Sequence, residues 1–367
     1  MSRVPPKAPT VRHPVPVDAD RRASAVVPVT LLATGLLLGA TGCRTVAGQR
    51  GVQITMRPAA SEAAPPLRIE PNEAEEARLE TADEAIAAED YDTALRVFRD
   101  LLSENPTLAD AYTGMGAALE KKGDLELAEP AYARALALDP KDFSAATGHG
   151  RVLEALGRVR DAIRAFQKAI AIRPRDVPSN VALSRLLLTT DQLEGAVAFG
   201  ERAIKLDPDD GEAHLALARA YSAVGRGVDA IREYEAAIEL IEPPIDVMFA
   251  LVNAYADEKR YEEAANAAEA LTRTAPSAAA FERLGWALFR LNRFEESDAA
   301  YRSSIALDET YWPALNGVGV NALNAWIKGG KVAEDPMRAE ARAMLQRSLR
   351  ANADQPKVAA LLLKYRL

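Results

Sequence analysis

Catalysis and metal binding need side chains that can trade protons or ligate ions, and this chain is poor in them. Among 367 residues there are three histidines and one cysteine. His13, His149 and His214 lie far apart, which leaves little for metal binding or acid–base work near neutral pH. Cys43 stands alone, so a disulfide framework and a cysteine-cluster zinc site are both excluded. No Ser/His/Asp set, phosphate-cradling loop or carboxylate pair on one face stands out. Gly114-Met115-Gly116 belongs to a long-period pattern, not to a nucleotide loop. The expectation is a chain with no catalytic residues, no cofactor, no metal and no small-molecule substrate.

What must be positioned, then, is a surface. Hydrophobic residues at 49% are enough for packed cores, while aromatics at 6% with abundant Ala favour closely packed helices over a β-sandwich. The formal net charge of −8 disfavours nucleic acid, whose phosphates need a dense basic face.

Residues 1–22 are Pro-rich and polar and end in Arg21-Arg22. An uncharged apolar run from Ala23 to Leu38 follows, then Gly39-Ala40-Thr41-Gly42-Cys43. A basic flank, an apolar stretch and small residues before a cut are the parts of a secretory signal. The segment resembles a bacterial lipobox, although Ala40 stands where that pattern usually has Leu. The resemblance implies that residues 1–42 are removed and that Cys43 carries the lipid. An uncleaved spanning helix is the alternative reading of the same apolar run. Removal takes away five basic and two acidic residues, so the remaining body is more acidic and needs acyl chains, not charge, to hold it at a membrane. Arg44 is not the Asp that retains lipoproteins in the inner membrane, which favours the periplasmic face of the outer membrane. Residues 43–73 read as the lipidated cysteine and a linker with no sustained period.

From about residue 75 the chain repeats every 34 residues. Ala94, Phe98, Leu101 and Pro106 are followed by Ala128, Tyr132, Ala135 and Pro140, then by Ala162, Phe166, Ala169 and Pro174. Ala196/Gly200, Ala230/Tyr234 and Ala264/Ala268 continue the step, and Ser297/Tyr301 follows one residue early. Small residues recur upstream at Gly116, Gly150, Ser184, Ala218 and Gly285, and turn glycines at Gly123, Gly157 and Gly225. Each unit reads as two amphipathic helices, here A and B, joined by a tight turn and stopped by Pro. The pattern resembles the tetratricopeptide repeat. It implies an all-α solenoid of about eight helix pairs over 74–353, closed by a capping helix over 354–367. Two departures carry expectations. Pro130 should bend or delay its helix, and Gly200, in the aromatic register, should make the fourth repeat the loosest.

In such solenoids the inner wall is lined by a few positions of helix A. Those positions here hold Arg151, Arg185, Arg219 and then Asn253, with Phe249, Trp286 and Phe289 farther on. The three arginines at one step apart predict a basic ladder suited to carboxylates or an extended backbone, followed by an apolar stretch. Two structural alternatives stand beside it: pairing of Arg151 with Glu154 one turn on, and packing of Trp286 and Phe289 against the eighth unit. The clamp that holds chaperone C-termini in some relatives is absent, because its positions read Leu79, Asp83, Thr113 and Ala117.

These readings converge on a membrane-anchored adaptor that captures an extended segment of a bacterial envelope protein. An accessory subunit of an envelope enzyme or assembly system, and a self-associating structural solenoid, are the alternatives.

Overall fold

A computed structural model describes residues 70–367. The leader, Cys43 and most of the linker fall outside the described residues. These residues form seventeen α-helices. The pairs are α1 (Glu73–Ala87) with α2 (Tyr91–Glu104), α3 (Ala109–Lys122) with α4 (Leu125–Leu138), and α5 (Phe143–Ala155) with α6 (Val159–Ile172). Next come α7 (Val177–Thr189) with α8 (Leu193–Leu206), α9 (Gly211–Ala223) with α10 (Gly227–Leu240), and α11 (Ile245–Asp257) with α12 (Tyr261–Thr274). Last are α13 (Ala278–Arg290) with α14 (Phe294–Leu307), α15 (Trp312–Lys328) with α16 (Pro336–Ala351), and the single helix α17 (Pro356–Tyr365). Each helix A packs on its own helix B, and each helix B packs on the helix that follows it. None of the described helices is long and apolar enough to cross a membrane.

Local signals set the ends of these helices. Asp142, Asp176 and Asp210, one step apart, cap α5, α7 and α9, each accepting a backbone N–H at 2.9 Å. The turn between helices A and B places one residue at positive φ in seven successive units. Gly fills it at Gly123, Gly157 and Gly225, whereas Glu89, Asp191, Lys259 and Asn292 take the same left-handed conformation. Proline follows closely after α2, α4, α6, α8 and α12.

Within a pair, helices A and B meet on side chains small enough to let the backbones approach. Ala94, Ala128, Ala162, Ala196, Ala230, Ala264 and Ser297 are all fully buried. Two of these crossings are tied by hydroxyls: Ser184 Oγ donates to the Ala196 carbonyl and Ser297 Oγ to that of Gly285, both at 2.8 Å. Between pairs an aromatic from helix B is clamped by two helices A. Tyr132 illustrates this, since a Cβ on Gly116 or Gly148 would lie 2.8 or 2.3 Å from its ring. Tyr301 sits likewise between Gly285 and Gly317. These two rings occupy the space left by the side chains missing opposite them.

Both departures resolve physically. Pro130 does not delay α4, which starts in the same register as the other B helices. Pro130 and Glu126, whose carbonyl loses its partner, are exposed, while the packing face of Ala128, Ala131, Tyr132 and Ala135 is intact. At Gly200 the space is taken by a closer approach of α9, since a Cβ there would lie 3.2 Å from Leu217 Cα.

Candidate functional site

The three arginines do stand on successive A helices, α5, α7 and α9, but each is engaged. Arg151 donates two parallel bonds to Glu120 on α3, Nε to Oε1 at 2.7 Å and Nη2 to Oε2 at 3.0 Å. Arg185 Nη2 donates to Glu154 of α5 at 2.9 Å, and Arg219 Nη2 donates to Asp246 of α11 at 2.8 Å. The geometry follows from the repeat. Glu120 and Glu154 lie 31 residues before their arginines, one step less three residues, which places each acid beside the arginine of the next helix A. Repeat four has Leu188 in that register, so Arg219 turns forward to Asp246 instead. Arg151 therefore pairs with Glu120 and not with Glu154, which serves Arg185.

The expected basic strip is thus a row of alternating charge. The reason is that the 34-residue period places acids as regularly as arginines. These pairs are half exposed, with 55%, 53% and 37% of the three arginine side chains accessible, so each contributes about 0–1 kcal/mol to stability. Donors left over on the guanidinium forks remain available to a ligand. Between the Arg185 and Arg219 rungs, Val181, Leu188 and Leu215 line a crevice of about 30 Å³. Rung and crevice together suit an extended chain that offers carbonyls or carboxylates alternating with small apolar groups.

Farther along, Phe249 is half-buried and Asn253 is exposed on α11. Trp286 is not a free inner-wall aromatic. It meets Tyr261 edge-on at 5.8 Å, packs against Tyr301, Ala314 and Val318, and lies under the Arg290 guanidinium. Phe289 is turned onto Phe294 at the foot of its own helix pair, edge-on at 5.6 Å, with Lys328 over the Phe294 ring. Trp286 thus spends part of its surface on packing between repeats and Phe289 on packing within its own pair, and both rings, like Phe249, remain half-buried.

Both described histidines are tethers. His214 is buried with Nδ1 2.7 Å from Glu233 and Nε2 2.9 Å from the Pro208 carbonyl. His149 Nε2 lies 3.3 Å from Glu129. Near the C-terminal end, Glu282 is buried and takes a bond from Arg283 Nη1 at 2.6 Å. Desolvation pushes its carboxyl above the usual range, against the opposing pull of Arg283. Sequence reasoning missed Glu120, Glu154 and Asp246 as rung partners. The 31-residue offset was the signal for the first two; for Asp246 there was none, because it answers a missing acid.

A tetratricopeptide repeat model matches residues 79–143, 147–211 and 249–311, and a second model of the same repeat matches 191–242. Among solved structures, the C-terminal part of a TPR repeat-containing protein from Cytophaga hutchinsonii is 18% identical with a TM-score of 0.54, over 65% of this chain and 98% of that one. The pilF structure from Pseudomonas aeruginosa is 18% identical over 56% and 93%, TM-score 0.49. MamA from Desulfovibrio magneticus RS-1 is 21% identical over 46% and 96%, TM-score 0.43. At such identities the likeness is one of fold. No curated protein matches the sequence. With paired helices throughout and the repeat model matching more than half its length, the chain belongs to the tetratricopeptide repeat family, whose members are protein-interaction scaffolds.

Proposed function

We propose that this chain is a non-catalytic docking scaffold of a bacterial cell envelope, tethered by lipid on Cys43, that captures an extended segment of an envelope protein along the row from α3 to α11. The observation that carries the reading is the set of three half-exposed arginine–carboxylate rungs, with a small crevice between two of them that is lined by Val181, Leu188, Leu215 and Glu212. Such a row selects by register. A ligand carboxylate competes for an arginine, a ligand cation for an acid, and a mismatch leaves a rung charge opposed. The anchor rests on the Arg21–Cys43 motif, and the outer-membrane placement on Arg44.

Affinity purification of the tagged full chain from its own envelope, beside an Arg185→Glu variant, tests the capture. The variant faces Glu154 with a like charge in the rung, so partner recovery falls at least fivefold while circular dichroism is unchanged. Equal recovery with an intact spectrum removes the row as the docking surface. For the anchor, Cys43→Ser releases the protein from membranes or leaves the leader uncut; unaltered fractionation and mass return the reading to a spanning helix.

A further inference from the structure

Where one pair meets the next, away from the rungs' own contacts, the array carries a recurrent trio. Tyr221 Oη donates to Glu201 Oε1 at 2.8 Å, and the Arg226 guanidinium lies 4.0 Å from the centre of the tyrosine ring. One step on, Tyr255 Oη donates to Glu235, with Arg260 4.8 Å over its ring. In each, the carboxylate comes from one helix B, the ring from the next helix A, and the arginine from the turn that follows. An aromatic body, a carboxylate and a guanidinium fill the notch between successive B helices.

Two steps before Tyr221 the same register reads Ala133, Leu153 and Arg158. The arginine is kept, while the ring and the carboxylate are gone. What stands there is a hollow of about 520 Å³ between α4 and α6, with α5 as its floor, a size within the range of small-ligand sites. The notch one step on is closed differently, since Ala165 of the hollow's wall is replaced there by Phe199, which packs into the α6–α7 core. The rim of the hollow is cationic. Arg158 and Arg164 share one carboxylate, Asp161, and Arg158 also reaches Glu129 at 3.2 Å. Lys168 makes no ion pair with another described residue. It is half-buried, and desolvation lowers its ammonium pKa against the charge of Asp139.

We infer that this hollow binds an organic carboxylate carrying an aromatic or aliphatic body, a ligand that supplies from outside the ring and the anion which its sister notches hold within the chain. The carboxylate sits against Arg158, Arg164 and Lys168, and the body lies on Ala133 and Ala137. The same chemistry comes from a free acid or from a polypeptide's C-terminal aromatic residue. This ligand departs from the expectation that the chain takes no small molecule, and it is independent of the rung surface.

Titration calorimetry of the full chain with 3-phenylpropionate, 3-phenylpropanol and acetate tests it. The acid binds at least tenfold more tightly than the alcohol or acetate. The double variant Ala133→Glu/Leu153→Tyr, which copies Glu201 and Tyr221 into the hollow, lowers that affinity at least tenfold with an unchanged far-ultraviolet spectrum. Should it fail to fold, Ala165→Phe, copying Phe199, carries the same expectation. Lys168→Gln weakens the acid and leaves the alcohol unaffected. A peptide ending in Phe, compared with its C-terminal amide, separates the sources. Tighter binding of the free-acid peptide than of phenylpropionate assigns a polypeptide terminus, and weaker binding assigns a free acid. Equal binding of acid and alcohol, or unchanged binding by both filled variants, overturns the inference.

Discussion

The junction between repeats two and three and the junction between repeats four and five solve one packing problem in opposite ways. At the first, Tyr132 is almost fully buried between Gly116 and Gly148, and its hydroxyl donates to Glu120 at 2.7 Å. Burial first, then the Glu120 charge, pushes the phenol far above its ordinary pKa, so it remains a donor at all physiological pH. Because Glu120 also takes both bonds from Arg151, the core ring and the surface rung share one carboxylate. At the second, Gly200 stands in the ring's register and α9 moves in until backbone meets side chain. A ring with absent side chains opposite, or an absent ring with close helices, both reach dense packing.

Breaking the first solution has the largest expected effect. Tyr132→Ala empties a glycine-walled space that nothing nearby can fill and costs about 3–5 kcal/mol, read as a lowered denaturant midpoint. A loss below about 1 kcal/mol would show that the two glycines allow the helices to collapse together. Imposing the first solution on the second comes next. Gly200→Phe restores the register's aromatic but drives it into Leu217, and costs about 1–3 kcal/mol by the same measurement. A gain in stability would mean that the junction is a loose defect, not an alternative packing.

A third junction sharpens the contrast. Tyr301 is clamped by Gly285 and Gly317 as Tyr132 is by its own glycines, but the nearby acid, Glu282, is buried. Its folded pKa is raised, so the native state holds the proton more tightly than the unfolded chain does. Stability from this group is full below the ordinary carboxylate pKa and is lost as pH rises through the raised value. Glu282→Gln therefore raises the thermal midpoint at pH 8 and leaves it unchanged at pH 4. An equal effect at both values would assign it to packing alone. The smallest effect lies away from any junction. Glu89 has φ 61° in the register where Gly123 and Gly157 serve, so Glu89→Gly stabilises by about 1 kcal/mol in chemical denaturation. No gain there would indicate that the left-handed turn carries little strain in this fold.

The repeat was legible because the units share the same few things at the same step: a small residue at each crossing, in most of them a ring between pairs, and a breaker at the end. Phe98, Tyr132, Phe166, Tyr234 and Tyr301 announce the junctions, and the glycines opposite Tyr132 and Tyr301 were visible without their purpose being so. The candidate surface was half legible. Arg151, Arg185 and Arg219 could be placed on one wall from their spacing, but their charge could not be balanced without knowing which helix lies beside which. Trp286 and Phe289 share the register of that wall, yet Tyr261 and Phe294, each on a different helix, claim them.

By itself the sequence determined the all-helical class, the 34-residue step, the turns and the stops, since each depends on contacts within one unit or on backbone preferences of single residues. Tertiary structure alone decided which charges pair, which rings are covered, and that Ala133 and Leu153 leave a hollow where later repeats put Glu and Tyr. Those outcomes depend on the distance between groups a repeat or more apart in sequence, and that distance exists only once the helices have stacked.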